Sequence, residues 1–208
     1  MKQMRLVEVE DANFKIGDVI QFNLKDGEYA EAIAVSQEPD GMVFCFVDCL
    51  AEECSLTNGG VYEYEKSLMR RHLNEDVLKQ LPSALKKIMV PFENGDLLRI
   101  PTEKEIFGEN VYGETEPDTV QQFEPMKLRR NRIAFRGYNG DYEWYWLQNR
   151  SVDSATYACD VSNHGRALNA GASSSHGVRP LFKIGNLARS TGGKTNLWKK
   201  EPSHENTI

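Results

Sequence analysis

Two turn signals near the N-terminus constrain this chain more than any other feature. Asp26-Gly27 and Pro39-Asp40-Gly41 separate three short, largely apolar runs. Pro presets φ for a turn and Gly permits φ > 0, so each signal reverses the chain by a defined mechanism. The runs read as strands. Residues 14–22 alternate apolar and polar side chains from Ile20 onward, residues 31–35 follow the first turn, and residues 42–50 follow the second. The third run is mostly apolar, as expected of a central strand. Three strands joined by short turns make a β-meander.

The period changes after Gly59-Gly60. From Ser67 onward, Leu68, Leu73, Val77, Leu78 and Leu81 recur at roughly helical spacing. Ser67 is a suitable N-cap, although no Glu or Gln stands three places on. Pro82 breaks that helix or opens a second short helical turn. Residues 97–101 read as a short strand. Thr102 with Glu105 then forms a capping box, and Gly108 stands at the C-cap of the helix between them. Residues 109–125 are polar and carry Gly113, Pro117 and Pro125, so they read as a long surface loop.

The C-terminal half reads as β-rich. Asn139-Gly140-Asp141 is a turn, and the aromatic run Tyr142-Glu143-Trp144-Tyr145-Trp146 follows as a strand. Residues 155–161 form another strand, Ser162-Asn163-His164-Gly165 a turn, residues 166–170 the return strand, and residues 173–177 a further loop. Residues 178–184 form the last strand, with Pro180 marking an edge or a bulge. The expected class is therefore α+β: an N-terminal meander, two or so helices and a β-rich C-terminal half. One domain covers 14–184. Residues 1–13 are a leader or edge strand, and 185–208 a flexible polar tail too poor in apolar side chains to offset its ordering entropy. Leu187, Leu197 and Trp198 are exceptions, suited to a strand that docks on a partner.

Composition narrows the function classes. The 208 residues are 40% hydrophobic and 27% charged, enough for a packed core, with a net charge of -6. That acidity disfavours duplex nucleic acid. The cluster Lys127-Leu128-Arg129-Arg130-Asn131-Arg132 and the pair Lys199-Lys200 suit single-strand binding, but a solvated turn before residues 133–135 is the simpler account. No apolar run approaches the roughly 20 residues that span a bilayer. The N-terminus shows no signal-peptide core. The expected location is thus cytoplasmic as synthesised. Cys45, Cys49, Cys54 and Cys159 are expected to be free thiols. The first three lie close together, but their spacing does not match a zinc knuckle, and no metal or other cofactor is expected. No clustered Asp/Asn/Glu group suggests calcium.

Several segments occur in an order that resembles a known family. These are Ser67-Leu68-Met69-Arg70-Arg71-His72-Leu73-Asn74, residues 100–108, Trp146-Leu147-Gln148-Asn149-Arg150-Ser151 and Gly177-Val178-Arg179-Pro180. The chain resembles, over about residues 14–184, a domain family of Firmicutes and their prophages. That family is marked by a Trp-Leu-Arg-Ser element followed by Gly-Val-Arg-Pro and is without an established activity. In this chain the Arg and Ser of the first element are displaced by two positions. The resemblance implies a C-type-lectin-like fold, shared with formylglycine-generating enzymes and phage tropism determinants. It carries over Trp146, Leu147, Arg150 and Arg179 as structural positions. It also implies a ligand-binding face in the C-terminal loops.

The candidate ligand contacts are Tyr138, Tyr142, Trp144, Asn163, His164, Arg166, Asn169 and His176. Tyr offers contact area at low entropic cost, and Ser and Asn offer adaptable hydrogen bonds. The same residues also fit ordinary polar turns. Trp144 and Trp146 are two apart and face one side of a strand: either a sugar-stacking platform or, better for Trp146, core. Arg179 is expected in a partly buried ion pair that pins the last strand. The leading expectation is a non-catalytic binding or structural protein, prophage-encoded, that recognises a protein or a glycan. The alternative is an enzyme that uses Cys159, with His164 or His176 as base. The formylglycine-generating branch uses two cysteines near its C-terminal end, where this chain has Cys159 alone, and a mid-strand packed thiol is the plainer reading.

Overall fold

The computed structural model describes residues 14–186 and the backbone of residues 198–200. The suggested leader at 1–13 and most of the suggested tail lie outside the described residues. The strands are β1 Val19–Asn23, β2 Tyr29–Glu38, β3 Gly41–Phe46, β4 Met89–Val90, β5 Ala134–Phe135, β6 Tyr142–Glu143, β7 Tyr145–Arg150, β8 Tyr157–Val161, β9 Ala167–Gly171, β10 Leu181–Gly185 and β11 Trp198–Lys200. The helices are α1 Leu68–His72, α2 Leu78–Gln80, α3 Ser83–Lys86 and α4 Glu103–Phe107, with a π-turn at Leu73–Val77 joining α1 to α2. The molecule is a strand-rich mixed α/β protein built on a curled antiparallel sheet with few helices.

The meander forms where the turn signals place it. β1 pairs with β2, and β2 with β3, with an irregularity in register between Ala34 and Ser36. The six-stranded sheet has the order β11-β1-β2-β3-β10-β4. β10, from the far end of the chain, lies between β3 and β4, so β3 is central as expected. Every residue of β3 is buried. Its two faces feed two cores: Met42, Phe44 and Phe46 join one, and Val43 and Cys45 the other. Across the β3–β10 pair Phe44 and Phe182 stack with centroids 5.6 Å apart. Such a pair contributes about 0.5–1.5 kcal/mol beyond its burial.

The first core is covered by Met69, Leu73, Val77, Leu81 and Leu85 of the helical segment. Ser67 caps α1 by accepting from the Arg70 N–H at 3.0 Å. Leu81 is extended, so the helix stops before Pro82. The second core is covered by Ile106 of α4 and by Tyr145, Leu147, Cys159 and Val161 of the β7-β8-β9 sheet. The capping box on α4 is complete: Thr102 Oγ1 accepts from Glu105 N, Glu105 Oε2 accepts from Thr102 N, and Gly108 has φ 83°. Residues 97–101 do not form the expected strand. They contribute one bridge, Arg99 to Leu181, because Asn74 takes the Leu97 and Leu98 N–H groups instead. Two described segments fall within the suggested tail. Gly185 belongs to β10, and Trp198–Lys200 pairs with β1, Gln21 facing Trp198.

Candidate recognition face

The β5–β6 hairpin and the residue that follows it carry three exposed aromatic residues, Tyr138, Tyr142 and Trp144. Ala134 pairs with Glu143 and Phe135 with Tyr142, and the Arg136 N–H donates to the Asp141 carbonyl at 2.9 Å. The turn passes so close to itself that a Cβ at Gly140 would stand 1.9 Å from the Arg136 carbonyl oxygen. Past the turn the side chains alternate. Tyr142 is 60% exposed and Trp144 39%, with Glu143 between them buried. The Glu143 carboxylate accepts from Arg136 Nε at 2.5 Å and from the Trp144 N–H at 2.8 Å. Arg136 also pairs with Glu53. Tyr138, 54% exposed, packs edge-on against Tyr29 at 4.5 Å, and Tyr142 packs on Phe135 at 4.6 Å. Each exposed ring thus rests on a partner that limits its freedom.

Trp144 and Trp146 both contact His176, Trp146 from the core and Trp144 from the surface. The Trp146 ring stacks on the imidazole at 4.2 Å and the Trp144 ring meets it edge-on at 5.8 Å. Trp146 is fully buried, and its indole N–H donates to the Cys54 carbonyl at 2.8 Å. The His176 side chain is turned mostly inward, 14% exposed. Its backbone bridges to Cys54, which turns the imidazole inward, and Nδ1 lies 3.1 Å from Oδ2 of the fully buried Asp160. That is an ion-pair distance without hydrogen-bond alignment.

The other candidates separate. Asn163, His164 and Arg166 sit at the β8–β9 turn, where Ser162 Oγ accepts from the His164 and Arg166 N–H groups and the His164 carbonyl accepts from Arg129 Nε at 2.8 Å. No described contact joins them to Tyr138, Tyr142 or Trp144. Asn169 is a structural tie: its amide donates to Ser151 Oγ at 2.9 Å and Asp153 Oδ2 at 2.7 Å. Leu147 is buried in the second core, and Arg150 makes a partly exposed pair with Glu114.

Arg179 departs most from expectation. It is fully buried, and among the described residues no carboxylate pairs with it. Its guanidinium donates to the carbonyls of Phe46 (2.8 Å), Val47 (2.8 Å) and Asn131 (3.0 Å) and to the Tyr145 hydroxyl (3.0 Å). Burial pushes the Tyr145 hydroxyl up to about 12, so it keeps its proton and donates in turn to the Arg132 carbonyl. This hub ties the end of β3 to β7 and to residues 131–132.

Cys159 is a packed thiol. Burial raises its pKa first, and the neighbouring Glu103 carboxylate adds to the effect. Glu103, also buried, accepts from the N–H groups of Val111, Tyr112 and Gly113 at 2.8–3.0 Å. Neither histidine proposed as a base contacts Cys159. Such a thiol does not supply the thiolate a nucleophile needs. Among the described residues no group of three His, Cys, Asp or Glu side chains could hold a metal ion, and no helix is long and apolar enough to cross a membrane.

One surface feature has no counterpart in the reading of the sequence. A cleft of about 200 Å³ opens between the β1–β2 turn, residues 50–52 and the helical segment, with Leu24, Leu50 and Val77 in its lining and Asp26, Glu28 and Glu52 around it. It adjoins a narrower recess that shares Leu24, Glu28 and Leu50 and ends at Tyr138. Its walls come from three separated segments, so no local pattern announces it. No family model, curated protein or solved structure was found to match the chain.

Proposed function

We propose that the chain is a non-catalytic binding module of C-type-lectin-like type, prophage-encoded, that recognises a protein or glycan partner through Tyr138, Tyr142 and Trp144. The observation that carries this reading is the exposure at residues 142–144: Tyr142 and Trp144 stand outward on either side of an anchored Glu143, with Tyr138 outward from the preceding turn. Large rings already held in place lose little entropy on binding and supply the contact area typical of binding hot spots. The buried Cys159, its thiol pKa raised by burial and by the neighbouring Glu103 carboxylate, weighs against the enzymatic alternative. The resemblance to the Firmicutes and prophage family supplies the fold type and the virion-associated setting.

A glycan array probed with the labelled full chain and with a Tyr142→Ala/Trp144→Ala variant tests the glycan arm. A panel of cell-surface and virion proteins on a biosensor tests the protein arm. The expected result is a ligand in one arm that loses at least about tenfold in affinity in the double variant, as for hot-spot truncation. A folded double variant that binds every ligand as tightly as the wild type would overturn the assignment.

A further inference from the structure

The cleft between the β1–β2 turn and the helical segment has a floor and a rim of different chemistry. Leu24, Leu50 and Val77 are each more than nine-tenths buried, so only small apolar parts of them face the opening. Asp26, Glu28 and Glu52 line it together with His72 and Gln80, and none of the three carboxylates has a Lys or Arg partner among the described residues. Asp76, at the far wall, differs: it already pairs with His72 and Lys79. Glu28 is also fixed in place. Its N–H donates to Asp26 Oδ1 at 2.9 Å, and its carboxylate lies under Gly137, where a Cβ would stand 2.8 Å from Oε1.

At about 200 Å³ the cleft is smaller than the roughly 300–1,000 Å³ of small-molecule pockets. It has room for one long side chain. A Lys or Arg side chain is apolar along its stem and cationic at its tip, which matches an apolar floor inside an anionic rim. We infer that this cleft receives a single lysine or arginine side chain from a partner protein. The Glu28 carboxyl is raised by burial first and then by the like charges of Asp26 and Glu52, so an arriving cation relieves a repulsion already present. The inference rests on the proposed binding role only in that the chain has a partner. It names that partner as a protein presenting a basic side chain, and it uses residues apart from Tyr142 and Trp144.

The test is an amide-resolved NMR titration of the full chain with the peptide acetyl-Gly-Leu-Arg-Leu-Gly-amide and with its counterpart carrying Glu in place of Arg. The expected result is saturable shifts at residues 24–28, 50–52 and 72–80 with the Arg peptide alone. The affinity should weaken about fivefold in Glu28→Gln/Glu52→Gln, the scale of losing two exposed ion pairs, and persist in Tyr142→Ala/Trp144→Ala. Equal shifts with the Glu peptide, no saturable shifts at millimolar peptide, or an unchanged affinity in the Gln variant would each overturn the inference. Shifts confined to residues 138–144 would also overturn it, and would leave the aromatic face as the binding site.

Discussion

Replacing Arg179 with Ala would remove the donors to three carbonyls and one hydroxyl at once. An acceptor left unsatisfied in the interior costs about 1–3 kcal/mol; with the Val47 and Asn131 contacts only part-buried, the three carbonyls together carry about 3–6 kcal/mol. Against this, the variant no longer desolvates a guanidinium, a term of several kcal/mol. The net is a loss of about 3–4 kcal/mol, near the upper end for a point substitution. Urea unfolding followed by tryptophan fluorescence suits the measurement, because Trp146 lies in the core. With a slope of about 2 kcal/mol/M, the midpoint falls by roughly 1.5–2 M. Tyr145→Phe, which loses one contact to Arg179 and one to Arg132, should fall by about half as much. A shift below about 0.5 M for Arg179→Ala would refute the reasoning: the carbonyls would then find other donors, and the hub would not hold β3 to β7.

Burial holds the Cys45, Cys49 and Cys159 thiols protonated, and only Cys54 is partly exposed. Ellman's reagent at pH 8 should therefore titrate one thiol in the native chain, none in Cys54→Ser, and four in denaturant; two or more native equivalents would contradict the packing described. The Glu28 carboxyl is raised in the folded state, so its ionisation costs stability as pH rises from the ordinary carboxylate range through the folded pKa, and nothing is lost below that range. Glu28→Gln should accordingly gain stability relative to the wild type between pH 4 and pH 7; a pH-independent difference in urea midpoints would remove the electrostatic argument for the cleft.

What the sequence made legible was what neighbours in the chain decide. The meander follows from Asp26-Gly27 and Pro39-Asp40-Gly41, and α4 from Thr102, Glu105 and Gly108, all within a few residues of one another. Tyr142, Trp144 and Trp146 share one strand period, but only the first two are exposed and Trp146 is buried, so the period alone does not set their exposure. Positions set by distant partners were not legible. His176 sits in a Ser-rich loop, yet its direction is fixed by a bridge to Cys54. Arg179 was expected to find a carboxylate, but its acceptors are carbonyls near residues 46 and 131. Glu103 stands in the first turn of a helix, where a solvated carboxylate is the ordinary case, and is buried because residues 111–113 fold back over it. The cleft escaped notice for the same reason.

The position of β10 inside the sheet sets an order of events during synthesis. β3 emerges from the ribosome with Phe44 and Phe46 on an open edge, and Arg179, which closes on Phe46, follows 133 residues later. At about 5–20 residues per second this interval lasts roughly 7–27 s. Throughout it, the most apolar strand of the nascent chain has no neighbour on one side, a state open to pairing with other chains.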